Sequence, residues 1–110
     1  MIKVNFYLSD KLIKGFRISG HSGSADAGED IICASVSSAA YMAANTVTDV
    51  LFIGAEIKVD DGFMELIVSE KLSEAQPILK GLRLHLESLA GDYPQNIKVT
   101  TSQIRRCQNA

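Results

Sequence analysis

The chain has 110 residues, of which 46% are hydrophobic and 22% charged, and its formal net charge is −2. This length allows one domain with a single core, and the composition is ordinary for a soluble globular protein. The slight negative charge argues against a surface built mainly to hold nucleic acid, because such domains usually carry a clear basic patch. We therefore expect one domain over residues 1–110 and no direct nucleic-acid partner.

Neither export nor membrane insertion is predicted. Met1 leads directly into an alternating pattern, without the basic and then apolar stretches of a signal peptide. The longest apolar-leaning stretch, residues 39–55, is interrupted by four polar residues between 45 and 49, which is not typical of a membrane span. Without an export signal, Cys33 and Cys107 are expected to be reduced thiols in the cytoplasm.

The first half of the chain predicts a hairpin and then a helix. Apolar residues alternate with more polar ones over residues 2–8, and a second extended run follows from Leu12 to Ser19 after a polar turn. The apolar spacing then becomes helical. It predicts a helix from about Asp30 to Phe52, with Gly54 as the C′ residue that ends it.

The second half predicts another hairpin, a helix and a last strand. Strands at Ala55–Val59 and Phe63–Val68 flank Asp60-Asp61-Gly62, which is a strong hairpin turn. A leucine-rich helix starts at or just before Ser73 and stops by Gly91 and Pro94. A strand follows at Ile97–Thr101, and the tail from Gln103 is expected to fray. The order ββαββαβ predicts an α+β fold, with a mixed sheet of about five strands and two helices packed on it.

Residues 20–37, GHSGSADAGEDIICASVS, concentrate the chemically useful side chains. A lipase nucleophile elbow is excluded because GxSxG requires glycine where Ser24 stands. There is no GxGxxG pattern and no Walker lysine. A zinc site would need more ligands at recognised spacing than His21, Cys33 and scattered carboxylates supply. We expect no metal and no cofactor.

A Cys–His pair is the stronger hypothesis for this stretch. With Asp30 as N-cap, Cys33 is the third helical residue, where the helix dipole favours a thiolate and free N–H groups could form an oxyanion hole. His21 closes the second strand and could act as the base. Asp30 would oppose the thiolate unless its carboxylate caps the helix or orients His21. The residues do not decide between those two roles.

The residues also allow plainer interpretations. A cysteine in an Ala/Ser-rich helical turn is typical of a small core residue, and a histidine after glycine in a loop is often a surface residue. His85 is interpreted as structural or exposed, and Cys107 as an incidental free thiol. From composition and spacing alone, the catalytic and the structural interpretation of Cys33 both stay open.

A longer motif bears on this choice. Gly20-His21, followed by residues 28–37 (GEDIICASVS), resembles the signature of the ribosomal-processing cysteine proteases, the Prp family. The family pattern is roughly GH, a short loop of small residues, and then GxDxVCAxVS. The departure is Ile32 in place of the usual valine, a conservative change beside the cysteine. Length, element order and motif position also fit, so the resemblance covers nearly the whole chain.

The resemblance implies a cytoplasmic endopeptidase that removes the N-terminal extension of a large-subunit ribosomal protein, the twenty-seventh of its series. It makes Cys33 the nucleophile and His21 the general base, and it gives Asp30 a supporting role at most. It also implies a homodimer and a mobile loop that orders on substrate binding. The candidate loop or substrate-binding residues are Gly20, Ser22, Gly23, Gly28 and Ser37.

Our hypothesis is therefore a cysteine endopeptidase that acts through an acyl-enzyme without metal or cofactor. Its expected partners are the N-terminal segment of a ribosomal protein and a second copy of the chain, with no membrane. The alternatives are a non-catalytic ribosome-associated binding module and a thiol redox sensor that uses Cys33. The small face formed by Ala34, Ser37, Ser38 and Ala44 would permit close helix packing, either within the domain or between subunits.

Overall fold

The structure is a computed structural model that describes residues 1–20 and 27–104, with the backbone alone for residues 27–30. Its order is ββαββαβ and its class is α+β, which confirms the sequence-based prediction. The elements are β1 Ile2–Ser9, β2 Leu12–Ser19, α1 Ala27–Asn45 with a π-helical turn Thr46–Val50, β3 Ala55–Asp60, β4 Phe63–Val68, α2 Leu72–Asp92 and β5 Ile97–Gln103.

The five strands form one mixed sheet in the order β3-β4-β2-β1-β5. Neighbouring strands are antiparallel except for β1 and β5, which are parallel, because α2 carries the chain across the sheet before β5 begins. Asp10 (φ 57°) and Gly62 (φ 68°) supply the left-handed residues of the two hairpin turns. The Asp60-Asp61-Gly62 turn is therefore confirmed.

The hydrophobic core lies between one face of the sheet and the two helices. In the register, Val4 stands opposite Ile18 and Val99, so apolar side chains of adjacent strands share the covered face. Phe6 and Phe16 are fully buried, with ring centroids 6.2 Å apart. The helices complete this core with Val36, Ala40, Ala43, Val47, Leu79, Leu82 and Leu86. The opposite face of the sheet is open to solvent.

The first helix differs from its prediction at both ends. It begins at Ala27 and not at Asp30. At the other end, Thr46 and Thr48 donate their hydroxyls to carbonyls four residues earlier, a pattern that bends helices. There the backbone hydrogen bonds span five residues and no longer four, as in the bond from the Leu51 N–H to the Thr46 carbonyl (2.8 Å).

The left-handed residue at the end of this helix is Phe52 (φ 54°), and Gly54 is not the C′ residue. Gly54 is held instead by the two residues immediately after β4, since its N–H donates to the Glu70 carboxylate (2.8 Å) and its carbonyl accepts from the Ser69 N–H. A Cβ at position 54 would lie 3.1 Å from both side chains. Glycine is therefore needed at position 54 for space. The positive φ is adopted instead by Phe52, whose aromatic side chain is 76% exposed.

The α1 segment Ile31–Val50 is long and apolar enough to cross a membrane by length and composition alone. The core helix of a globular domain has the same properties. Val36, Ala40, Ala43 and Val47 of this segment are buried in the core shared with the sheet. Its apolar character is accounted for in part by that packing.

The last strand is longer than the sequence pattern predicted. β5 extends to Gln103, and the N–H of Ile104 donates to the Leu8 carbonyl (2.8 Å). The expected fraying from Gln103 onward is wrong for these two residues, because pairing with β1 supplies partners that no local pattern reveals. Residues 105–110, including Cys107, lie outside the described residues.

Candidate active site

A cavity of about 190 Å³ lies between α1 and the turn that joins β3 to β4. We call it the cleft. One wall comes from the helix, the other from the hairpin, and the floor from the ends of β1 and β2. Its lining residues are Ile2, Ile18, Gly20, Cys33, Val36, Ser37, Ala40, Tyr41, Val59, Asp60, Asp61, Gly62, Phe63 and Met64.

The helical wall presents Cys33, Ser37 and Tyr41, which are spaced four residues apart. Side chains at this spacing lie one above the other on the same face of an α-helix. Cys33 is half-buried and packs against the core, whereas Ser37 and Tyr41 are exposed. Cys33 carries a free thiol. The helix therefore fixes the sulfur at one place along the cleft.

The opposite wall is tied to the end of β2 by one backbone hydrogen bond. The Gly20 N–H donates to the Gly62 carbonyl (3.0 Å), so the hairpin turn holds the residue that comes after Ser19. Gly20 has φ 90°, and a Cβ there would lie 2.4 Å from the Met1 carbonyl oxygen. Both facts require glycine at this position. The covalent neighbour of His21 is thus anchored in the lining of the cleft.

The structure brings three predicted site residues to one cavity: Cys33, Ser37 and Gly20. The predicted base His21 and the predicted loop residues Ser22 and Gly23 lie outside the described residues. Gly28 and Asp30 belong to the first turn of α1, where the backbone alone is described. The Cys33–His21 pairing therefore stays a prediction, with one partner placed at the cleft.

Cys33 lies further along α1 than the sequence pattern predicted. Because α1 begins at Ala27, Asp30 is the fourth residue of the helix and not its N-cap, and Cys33 is the seventh and not the third. The N–H groups that lack an intrahelical partner are those of the first four residues. The Cys33 N–H is bonded within the helix and is not free to form an oxyanion hole. The helix dipole acts most strongly in the first turn, and the thiol lies beyond that turn.

The walls of the cleft around the cysteine were not predicted from the sequence. Tyr41 could have been found, since it continues the spacing of Cys33 and Ser37 along one helix face. Phe63 and the Asp60-Asp61-Gly62 turn could not, because their position opposite α1 depends on the packing of the hairpin. The Asp61 N–H donates to Asp60 Oδ1 (2.7 Å), so the Asp60 carboxylate stabilises the turn at the rim of the cleft.

The described part of the cleft offers a thiol and a hydroxyl between mostly apolar walls. The cleft is open, its walls are mostly apolar, and a half-buried thiol lies beside an exposed hydroxyl. Among the described residues, no group of three His, Cys, Asp or Glu side chains could hold a metal ion. The strongest nucleophilic atom in the described part of the cleft is Cys33 Sγ.

Comparison with known proteins gives a family for the sequence. The family model described as cysteine protease Prp matches residues 1–98. A curated relative from Bacillus subtilis (strain 168), the ribosomal processing cysteine protease Prp, is 33% identical over 104 residues. That match covers 86% of this chain and 91% of the relative.

Solved structures share the fold. A protein of Streptococcus mutans superposes with a TM-score of 0.85 at 22% identity, covering 94% of this chain and 96% of that one. The essential ribosomal processing protease Prp of S. aureus, in complex with a substrate peptide, gives a TM-score of 0.84 at 24% identity. The same protease with a covalently linked product peptide gives 0.83 at 24% identity. Each S. aureus match covers 93% of this chain and all of the other.

Proposed function

Since the chain belongs to the cysteine protease Prp family, we propose that Cys33 and His21 form the catalytic dyad of an endopeptidase that acts on a ribosomal protein. The chain is thereby a cysteine protease, a hydrolase. The proposed substrate is the large-subunit protein that stands twenty-seventh in its series, and the proposed cut releases its N-terminal extension. We place this activity in the cytoplasm, where ribosomal proteins are made.

One observation carries the assignment of the site. Cys33 and Gly20 line the same cleft, although they belong to different elements. The bond from Gly20 leads directly to His21, so the chain enters residue 21 from a fixed point beside the cysteine. This supports an imidazole within reach of the sulfur. Ser37, one helical turn beyond Cys33, is proposed to contact the substrate backbone through its hydroxyl.

The proposed reaction has two half-steps. His21 takes the proton from Cys33, and the sulfur attacks the scissile carbonyl carbon to form a tetrahedral intermediate. The C–N bond breaks as His21 gives its proton to the leaving amine, which leaves an acyl group on Cys33. Water then attacks this thioester with His21 as the base, and the thiol is regenerated. Asp30 is proposed to support the orientation of His21, with no part in bond making.

The shape of the cleft supports a peptide substrate. Its open length between helix and hairpin admits an extended chain, and the apolar walls at Tyr41, Val59 and Phe63 offer surface for side chains near the scissile bond. The S. aureus relative was solved with a substrate peptide and with a covalently linked product peptide. A covalent link to product is what an acyl-enzyme mechanism predicts.

The test is incubation of the purified chain with the full-length ribosomal protein, followed by intact-mass measurement of the products. Wild type is expected to give two fragments whose masses place the cut near the N-terminus. His21→Ala is expected to lower kcat/KM by about 10³-fold or more, since proton transfer in both half-steps is lost. His85→Ala removes the other histidine, which is exposed on α2, and is expected to leave the rate unchanged.

Each alternative gives a different result in the same assay. Cleavage by His21→Ala at the wild-type rate would overturn the dyad. Tight binding of the ribosomal protein without fragments, at any enzyme concentration, would favour the binding module. Reversible oxidation of Cys33 that controls an output, without peptide turnover, would favour the redox sensor.

We also propose that the chain forms a homodimer. The outward side of α1 exposes Ile31 (67%) and Met42 (54%), which lie three helical turns apart on one face. A single exposed apolar residue is ordinary, whereas two on one helix face offer an apolar surface to a partner. Sedimentation equilibrium is expected to give twice the chain mass, and Ile31→Glu/Met42→Glu is expected to shift it to the monomer. An exposed leucine on α2, changed as Leu84→Glu, is the matched control; a monomeric wild type contradicts the proposal.

A further inference from the structure

The open face of the sheet carries three cations side by side. In the register, Lys3 of β1 stands directly opposite Lys98 of β5, and Arg17 of β2 is opposite Asn5, the next residue of β1 on the same face. Val4 between them is buried on the covered face, so Lys3 and Asn5 both point to the open one. Three strands thus contribute one basic group each to a single patch.

A shallow cavity of about 200 Å³ lies at the centre of this patch. It is lined by the three cations, the polar residues Asn5, Ser19 and Thr100, and Val4. Thr100 donates its hydroxyl to Asn5 Oδ1 (2.8 Å), and Asn5 donates to Ser102 (2.9 Å), which fixes the polar floor. Lysine, arginine and hydroxyl donors around a concave surface are the groups that bind phosphate oxygens.

The three cations have no carboxylate partner among the described residues. The ion pair found in that part of the chain joins Arg83 to Glu87 on α2, on the other side of the molecule. Glu65, the neighbour of Arg17 on β4, accepts a hydrogen bond from the Tyr7 hydroxyl (2.6 Å). Burial and this carboxylate raise the pKa of Tyr7, and Arg17 opposes the shift. Like charges directly opposite on adjacent strands destabilise a sheet, so the Lys3–Lys98 pair does not serve folding.

We propose that Lys3, Arg17 and Lys98 bind a phosphate group on the open face of the sheet, with the Ser19 hydroxyl as a further donor. The anion removes the repulsion between the two lysines, and the guanidinium can hold two of its oxygens. A net charge of −2 for the whole chain does not oppose this site, because the fold gathers three cations that are far apart in the sequence. The ligand is either a free phosphate compound or the backbone of single-stranded RNA.

The proposed phosphate site lies close to the cleft. Ser19 is followed directly by Gly20, so the phosphate site and the cleft lie at the same end of β2, on opposite faces of the sheet. A phosphate-bearing molecule held there would sit beside the entrance to the cleft. The inference itself rests on the open face of the sheet and is independent of the chemistry proposed for Cys33.

Binding can be measured by fluorescence anisotropy with a labelled single-stranded RNA oligonucleotide, and by competition with inorganic pyrophosphate. Three phosphate contacts predict that RNA binding weakens by about 20-fold between 50 mM and 200 mM salt. In Lys3→Gln/Lys98→Gln, affinity at 50 mM salt is expected to fall by about 10-fold or more, and the salt effect to shrink to about 3-fold. Lys58→Gln, on the same face but on β3 between Glu56 and Glu65, is the matched control.

The two ligand sources give separable results. Displacement of RNA by pyrophosphate supports the shared site, and binding of pyrophosphate without RNA supports the site with a free phosphate ligand. Because the double variant removes a like-charge pair, its midpoint of thermal unfolding is expected to equal or exceed that of wild type. The proposal is overturned if wild type binds neither anion, if the double variant binds as wild type does, or if Lys58→Gln loses as much affinity.

Discussion

Replacing Cys33 with alanine is expected to lower kcat/KM for peptide cleavage by about 10⁴-fold or more. The thiol is the strongest nucleophile in the described part of the cleft, and the Ser37 hydroxyl, one helical turn away, is a much weaker one. Stability is expected to change by about 1 kcal/mol at most, because the side chain is small and only half-buried. Activity with the full-length ribosomal protein and urea unfolding of the same preparation measure the two effects.

Two controls separate this prediction from a loss of structure. Cys107→Ala removes the other cysteine of the chain and is expected to cleave at the wild-type rate. Wild type mixed with a slowly hydrolysed peptide ester is expected to gain the mass of the acyl group, and Cys33→Ala is expected not to. Cleavage by Cys33→Ala at more than one hundredth of the wild-type rate, in a protein of wild-type stability, would refute Cys33 as the nucleophile.

The fold could be predicted because its elements have strong local patterns. The strand Phe63–Val68 is apolar apart from Glu65, and the turn before it contains Asp-Gly, so its bounds agree with the structure. The start of α1 was predicted three residues too late, since an aspartate that suits an N-cap also fits inside the first turn. Gly54 was wrongly predicted as the C′ residue of α1, because the sequence does not distinguish a glycine needed for space from one needed for a positive φ.

Only the part of the candidate site that lies on α1 could be predicted from the sequence. Cys33 and Ser37 share a motif and a helix face, and both line the cleft. The β3–β4 wall and the phosphate site depend on which strands become neighbours. Lys3 and Lys98 pair because α2 returns the chain to the far edge of the sheet, and no spacing in the sequence reports that return.

A buried glutamine that joins the helix layer to the sheet could not be predicted either, because its partner lies on a distant strand. Gln76 lies among the leucines of α2 and is 6% exposed. Its side-chain oxygen accepts from the Ile13 N–H (2.8 Å), and its side-chain nitrogen donates to the carbonyls of Ile13 (2.8 Å) and Leu72 (2.9 Å). The amide therefore satisfies both backbone groups of Ile13, as a paired strand would.

Ile13 needs this partner because of an irregularity in β2. Tyr7 pairs with Gly15 and Leu8 pairs with Ile13, so Lys14 is an extra residue in the strand. Such a bulge turns Ile13 into the core, where it is 2% exposed. The pairing of β2 with β4 begins at Gly15, which leaves the Ile13 backbone groups beyond the end of the ladder. Gln76 supplies the missing hydrogen bonds at that point.

Gln76→Ala is therefore expected to lower the free energy of unfolding by about 3 kcal/mol, since a buried N–H and a buried C=O lose their partners. Gln76→Leu, which keeps the volume and makes no hydrogen bond, is expected to be similarly costly. Gln76→Glu keeps the shape but turns a carboxylate toward two carbonyls, so at neutral pH it is expected to be at least as destabilising. Gln95→Ala, at an exposed position, is expected to stay within about 0.5 kcal/mol of wild type. Urea unfolding followed by circular dichroism measures all four, and a Gln76→Leu protein as stable as wild type would show that packing alone holds α2 on the bulged strand.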